Sequence, residues 1–80
     1  MNNKLKYFRK QINDIDEQIV NLLAKRMQVV EKIGQYKKEN NLPPLDNSRW
    51  QKVIKSKKGF MKKIWKIIHD QALKVEKQIL

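Results

Sequence analysis

Apolar residues in the first half of the chain recur in alternating steps of three and four residues. They stand at Leu5, Phe8, Ile12, Ile15, Ile19 and Leu22, and again at Val29, Ile33 and Tyr36, and we call these nine residues the heptad seam. This spacing is typical of a helix that packs along one face. The pattern stops at Asn40-Asn41-Leu42-Pro43-Pro44, where asparagine can adopt a left-handed cap and proline blocks continuation. The sequence therefore predicts one helix from about Lys4 to Asn40.

The rest of the chain predicts two further helices. Asp46 or Ser48 can cap a short helix that ends near Lys57-Lys58-Gly59, with Gly59 as its natural stop. A third helix follows from Phe60 to about Ile79. Its apolar stripe contains Met61, Ile64, Ile68, Val75 and Ile79. We therefore expect an all-α fold of three helices, long, short and long, in a single domain over residues 1–80.

The predicted first helix is longer than the domain to which it belongs. At about 1.5 Å per residue it spans on the order of 55 Å. A compact chain of this length has a diameter of only roughly 30 Å. The heptad seam would therefore overhang and expose apolar side chains, and a second copy of the same chain is the simplest cover. We expect an intertwined homodimeric helical bundle.

Composition and charge narrow the class of protein. The chain has 19 Lys+Arg against 8 Asp+Glu, a net charge of +11, and no cysteine that could brace its small core with a disulfide. Its apolar runs are far shorter than the roughly 20 residues that span a bilayer, and its first residues lack a secretory signal pattern. We therefore expect a soluble cytoplasmic protein without membrane contact.

The positive charge also raises the alternative of a basic module that binds nucleic acid. Against this alternative, the lysines are spread over all three predicted helices, and neither helix-turn-helix spacing nor an aromatic-rich single-strand platform occurs. We expect no specific nucleic-acid partner.

One cation interrupts the heptad seam, and a second cation lies on the same face of the helix. Arg26 stands four residues after Leu22, where an apolar residue is due. Lys37 follows 11 residues later, about 20° past three full turns and roughly 16 Å along the same face. Cations on a packing face require an anion. Either carboxylates of neighbouring helices pair with them, or they bind an anionic ligand.

Arginine is rare in this chain, which has 16 lysines but arginine only at positions 9, 26 and 49. Its rigid fork grips a carboxylate or phosphate with two parallel hydrogen bonds, so these three residues are candidates for specific anion binding. Arg9 lies about 25 Å from Arg26 along the helix and cannot share a small ligand with it in one chain. In an intertwined dimer, Arg9 of one chain can reach the pocket of the other.

The third helix carries two further polar candidates. Glu76 lies one turn after Ala72 and two turns after His69, beside the apolar stripe, and is either solvated or directed inward. His69 is the only histidine, so we expect a partly buried or capping residue and no metal site.

Several longer sequence motifs are similar to those of a known protein family. The first helix contains Leu5-x-x-x-Arg9-x-x-Ile12-x-x-Ile15-Asp16-x-x-Ile19-x-x-Leu22-Leu23-Ala24-x-Arg26-Met27, then Ile33-Gly34-x-x-Lys37, and Asp46-x-x-Arg49 opens the second helix. Over nearly its whole length the chain resembles the all-helical class of chorismate mutases. The resemblance implies an isomerase that rearranges chorismate to prephenate in phenylalanine and tyrosine biosynthesis. It also implies an intertwined dimer with two active sites and no cofactor.

The resemblance assigns roles to individual residues. The implied substrate-binding set is Arg9, Arg26, Lys37, Asp46, Arg49, Ala72 and Glu76, of which Arg26, Lys37 and Glu76 are catalytic. Arg26 and Arg49 would bind the carboxylates of chorismate, with Arg9 supplied by the partner chain. Lys37 would hydrogen-bond the ether oxygen of the breaking bond, and Asp46 would contact the region of the ring hydroxyl. Glu76 takes the position usually held by glutamine.

The chain departs from the family pattern at several places. Trp50 stands where many members have a glutamate that binds the substrate hydroxyl, Ala72 stands where a serine often contacts a carboxylate, and the stretch from Arg49 to Trp65 is shorter than usual. Arg49-Trp50 with Ile68-His69 is similar to members fused to a sugar-phosphate synthase of the shikimate pathway, which implies such a synthase as partner. Two alternatives stay open, namely an isochorismate pyruvate lyase on the same fold and a low-activity regulatory or dimerisation homologue.

Overall fold

The computed structural model describes residues 2–80, which form three α-helices. These are α1 (Asn2–Glu39), α2 (Asn47–Lys55) and α3 (Met61–Ile79), with no strand among the residues described. The predicted all-α order of long, short and long helices is confirmed. The bounds of α1 and α3 agree with the sequence prediction to within two residues.

The end of α1 follows from its asparagines. Asn41 adopts the left-handed conformation with φ 55°. The backbone N–H of Leu42 then donates to the Lys37 carbonyl at 2.8 Å, which satisfies a carbonyl left open at the helix end. The Asn40 side chain donates to the Tyr36 carbonyl at 2.8 Å. This cap is the one predicted, and it turns the chain back so that Pro44 lies beside Lys37.

Helix α2 begins at the predicted cap but ends earlier than predicted. Asp46, rather than Ser48, is the N-cap, and its carboxylate accepts a hydrogen bond from the backbone N–H of Arg49 at 3.0 Å. The helix ends at Lys55 because Ser56 closes it, donating its hydroxyl to the Val53 carbonyl at 2.6 Å. The helix therefore ends two residues before the predicted Lys57-Lys58-Gly59 stretch, and the expectation that Gly59 is its stop is wrong. Gly59, with φ 59°, lies in the turn that leads into α3.

Helix α3 packs against the C-terminal half of α1 through a close approach at Gly34. A Cβ atom at this position would lie 3.0 Å from Ile79 Cδ1 and 3.4 Å from Glu76 Cα. Val30 and Ala72 are buried at the same contact. Helix α2 packs on α3 and makes no comparable contact with α1.

The N-terminal part of α1 overhangs, as its length predicted. The molecule measures 60 × 24 × 14 Å, and every residue from Asn3 to Lys25 is exposed. The heptad seam stays uncovered even beside α3, where Val29 is 52% and Tyr36 61% exposed. Helix α1 therefore has two packing faces, one used by α3 and one left free. No described helix has a stretch apolar enough to cross a membrane.

Candidate functional site

A partly open cavity of about 210 Å³ lies where the three helices meet. Its walls come from the C-terminal half of α1, the turn at Pro44, the first turns of α2 and the second half of α3. Six of the seven sequence-predicted site residues line it: Arg26, Lys37, Asp46, Arg49, Ala72 and Glu76. The fold therefore gathers side chains that are up to 50 residues apart in the sequence.

Lys37 lines the cavity and contacts two other lining residues, Pro44 and Glu76. Its ammonium donates to the Pro44 carbonyl at 2.6 Å, and its Nζ lies 2.6 Å from Glu76 Oε1. The side chains of Lys37 and Glu76 are only 16% and 12% exposed, so the alternative of a solvated Glu76 is wrong. The contact is a close ion pair rather than an aligned hydrogen bond, because Glu76 Oε1 lacks a partner with hydrogen-bond geometry among the described atoms.

The two arginines of the cavity differ from Lys37 in having no anionic partner. Within residues 2–80, no carboxylate lies within salt-bridge distance of Arg26 or Arg49. The interpretation that carboxylates of neighbouring helices neutralise both Arg26 and Lys37 therefore holds for Lys37 alone. Two guanidinium groups facing one cavity form a site suited to a ligand with two carboxylates.

Asp46 and Ala72 line the cavity but provide few free polar groups for a ligand. The Asp46 carboxylate is engaged by the backbone N–H of Arg49, where it caps α2. Ala72 is 6% exposed and presents only a methyl group. Both residues therefore shape the wall, and Asp46 also fixes the start of the helix that carries Arg49.

Trp50 and His69 form a stacked pair at the site that the sequence did not predict. Their rings stack at a centroid distance of 3.8 Å and an interplanar angle of 13°, and both line the cavity. The prediction of a partly buried His69 is confirmed. Its place in the cavity could have been inferred from its spacing, because seven residues, or about two turns, put it on the face of Glu76.

Arg9 is the one predicted site residue outside the cavity. It is exposed on the overhanging part of α1, among residues that α3 does not cover. Within one chain it cannot contact a ligand held by Arg26, as the helical distance between them predicted.

Comparison with known proteins places the sequence in a described family. The sequence model of the family described as Chorismate mutase type II matches residues 8–77. The chain is 34% identical over 89 aligned residues to the bifunctional chorismate mutase/prephenate dehydratase of Buchnera aphidicola from Acyrthosiphon pisum, covering 99% of this chain and 23% of that protein. Its counterpart from Schizaphis graminum is 32% identical, with 98% and 23% covered. The chain thus spans less than a quarter of the length of these curated relatives.

A solved structure has the same fold. The conserved hypothetical protein from Pyrococcus furiosus superposes with a TM-score of 0.86 at 38% sequence identity, over 92% of this chain and 96% of that one. The three-helix arrangement therefore occurs in a second chain with few residues outside the matched region.

Proposed function

Because this chain belongs to the chorismate mutase type II family, we propose that it is an isomerase that rearranges chorismate to prephenate, with residues 1–80 as one catalytic domain. The observation that carries the proposal is the convergence of Arg26, Arg49 and Lys37 on one cavity, with both arginines free of carboxylate partners among the residues described. Chorismate is a dianion with two carboxylates, and these guanidiniums are its natural binding groups.

The reaction is a unimolecular pericyclic step, so the protein contributes orientation and charge rather than a nucleophile. Arg26 from α1 and Arg49 from α2 each hold one carboxylate. Fixing both ends folds the flexible enolpyruvyl arm over the ring, and freezing this reactive conformer lowers the activation barrier. The separation of the two arginines on different helices supports this clamp.

Lys37 stabilises the transition state. As the C–O bond breaks, negative charge develops on the ether oxygen, and a cation already directed there binds the transition state more tightly than the ground state. An ammonium group has three donors, of which the Pro44 carbonyl accepts one, while Glu76 pairs with the charge. In this proposal a further donor binds the ether oxygen. Glu76 can donate to the same oxygen only when its carboxyl is protonated.

The working form in this proposal is an intertwined homodimer in which Arg9 of one chain completes the other chain's cavity. The support is the exposed heptad seam, with Ile12 56% and Leu22 63% exposed, on a helix segment that nothing else in the chain covers. Sedimentation equilibrium tests this part. We expect a mass of twice 9.7 kDa, and a monomer at micromolar concentration would contradict it.

The enzymatic proposal is tested by the loss of chorismate absorbance with purified protein and identification of the product. We expect saturable conversion to prephenate. Arg26→Ala should abolish it, whereas Lys25→Ala, which removes an exposed cation on the neighbouring position of α1, should not. Pyruvate and an aromatic acid as products would indicate the isochorismate lyase instead. No turnover by a folded dimer would favour the regulatory homologue.

The cellular setting of the proposal is phenylalanine and tyrosine biosynthesis in the cytoplasm. The relatives from Buchnera aphidicola carry prephenate dehydratase as their second activity, and we propose that an enzyme consuming prephenate acts next to this one. A partner synthase of the shikimate pathway, which the sequence resemblance implied, stays a prediction. Co-purification of this chain with either enzyme from its own cells would distinguish them.

A further inference from the structure

Helix α2 carries Arg49 into the cavity but is weakly held. It has only nine residues and no buried side chain, and it packs on α3 alone. Isolated helices of this length are marginal in water, so its position depends on a few tertiary contacts. Asp46 caps the helix but does not attach it to a neighbour.

The stack of Trp50 on His69 is one of those contacts and has a defined geometry. A centroid distance of 3.8 Å with an angle of 13° brings the two planar rings into nearly parallel contact. Trp50 lies in the first turn of α2, directly after Arg49, and His69 lies near the middle of α3. The stack therefore joins α2 to α3 at the residue next to the guanidinium that faces the cavity.

The guanidinium of Arg49 forms no ion pair within residues 2–80. The residue is exposed. Its place relative to Arg26 on α1 is thus set by the backbone of α2, which the stack joins to α3 at the neighbouring residue. We propose that Trp50 and His69 are positioning residues that fix Arg49 for a ligand carboxylate, an inference that rests on the proposed function.

The proposal predicts a larger effect on KM than on kcat. When Trp50 or His69 is replaced, Arg49 is displaced rather than removed, so the clamp can still close once the substrate is bound, and the loss should appear mainly in KM and only slightly in kcat. We expect Trp50→Ala and His69→Ala to raise KM about tenfold while kcat stays within about threefold. Trp50→Phe and His69→Phe keep a flat ring at each position and should recover most of the lost affinity.

Trp65 provides the matched control. It is the other tryptophan of the chain, and it does not line the cavity. The Lys57 Nζ lies 4.3 Å from the centroid of its ring. Trp65→Ala should leave KM unchanged. A KM rise in Trp65→Ala equal to that of Trp50→Ala would show a general effect of losing an indole and would overturn the proposal.

A double-mutant cycle separates positioning from a general structural role. If the stack acts through Arg49, Trp50→Ala adds nothing once Arg49→Ala has been made, and the double variant has the KM of Arg49→Ala alone. Multiplication of the two KM effects would overturn the proposal. Where circular dichroism shows Trp50→Ala to be unfolded, His69→Ala combined with Arg49→Ala gives the same comparison.

The stack can also be observed without substrate. His69 is the only histidine, so its imidazole protons give unambiguous NMR signals, and the facing indole should shift them upfield. Trp50→Ala should return them to the position of free histidine, and unshifted signals in the unmodified protein would overturn the proposal.

Failure of the positioning role can be distinguished from failure of the proposed function. If the unmodified protein does not convert chorismate, the proposed function is wrong as well. If turnover is normal and Trp50→Ala has an unchanged KM, only the positioning role is wrong.

Discussion

The ammonium of Lys37 is held by the Pro44 carbonyl and the Glu76 carboxylate before any substrate enters, each at 2.6 Å. A lysine side chain has many rotamers, and ordering it costs conformational entropy. These two contacts offset that cost before the substrate binds. The donor is thus already directed when charge develops on the ether oxygen, which is the condition for efficient electrostatic stabilisation.

Removing this donor should affect the chemical step most strongly. Lys37→Ala is expected to lower kcat by about 10² to 10³-fold, by analogy with the loss of one oxyanion donor. Lys38→Ala, which removes an exposed cation from the next position of α1, is the matched control and should retain kcat. Steady-state kinetics on both variants measures the difference. A kcat of Lys37→Ala close to that of the unmodified protein would remove Lys37 from the mechanism.

Glu76 should act on the rate through its charge. Its carboxylate pairs with the Lys37 ammonium but has no hydrogen to donate, and it repels the negative charge that develops on the ether oxygen. Glu76→Gln removes this repulsion and offers an amide donor, so we expect its kcat to be at least that of the unmodified protein. Steady-state kinetics on the two proteins measures the difference, and a clear fall of kcat in Glu76→Gln would contradict this role of the charge.

At the scale of the helices, the sequence predicted the caps, because a cap depends on residues that are close together in the chain. The asparagine cap after α1 and the Asp46 cap of α2 are local signals, and both appear in the structure. The residue that ends α2 differs from the prediction, because Ser56 closes the helix with its own hydroxyl, a weaker sequence signal than the glycine three residues later. The choice of packing face could not be predicted either, since the heptad seam marks the apolar side of α1 but not which helix covers it.

Gly34 decides how closely α3 approaches α1. An added methyl group would meet Ile79 Cδ1, the mobile end of a side chain, at 3.0 Å. Gly34→Ala should therefore be nearly neutral, since the strain opposes a gain of about 1 kcal/mol in helix propensity. Gly34→Leu must instead displace the backbone of α3 at Glu76, and we expect a loss of about 1 to 3 kcal/mol in stability.

Urea unfolding at one fixed protein concentration, followed by circular dichroism, compares the two Gly34 variants. Because Gly34→Leu also separates Glu76 from Lys37, its kcat should fall together with its stability. Equal unfolding midpoints for Gly34→Ala and Gly34→Leu would show that the close contact at Gly34 contributes little to the fold.

At the scale of the whole molecule, a single chain is elongated and leaves apolar residues of α1 exposed. Its radius of gyration is 16.8 Å, against about 12 Å for a compact chain of this length. The excess comes from the exposed segment of α1, which carries both the free part of the heptad seam and Arg9. The sequence predicted this overhang from helix length alone, and the same segment would supply both the dimer contact and the missing guanidinium.

Subunit mixing tests whether Arg9 acts across the dimer. Arg9→Ala and Arg26→Ala should each be inactive alone, because every site lacks one arginine. In a mixed dimer, the cavity of the Arg9→Ala chain keeps its own Arg26 and receives Arg9 from the other chain, so one of the two sites is intact. Random mixing makes about half of the dimers mixed, so we expect about a quarter of the unmodified activity to return. If Arg9 served its own chain, each cavity of the mixed dimer would still lack an arginine, and mixing by unfolding and refolding the two variants together would restore nothing.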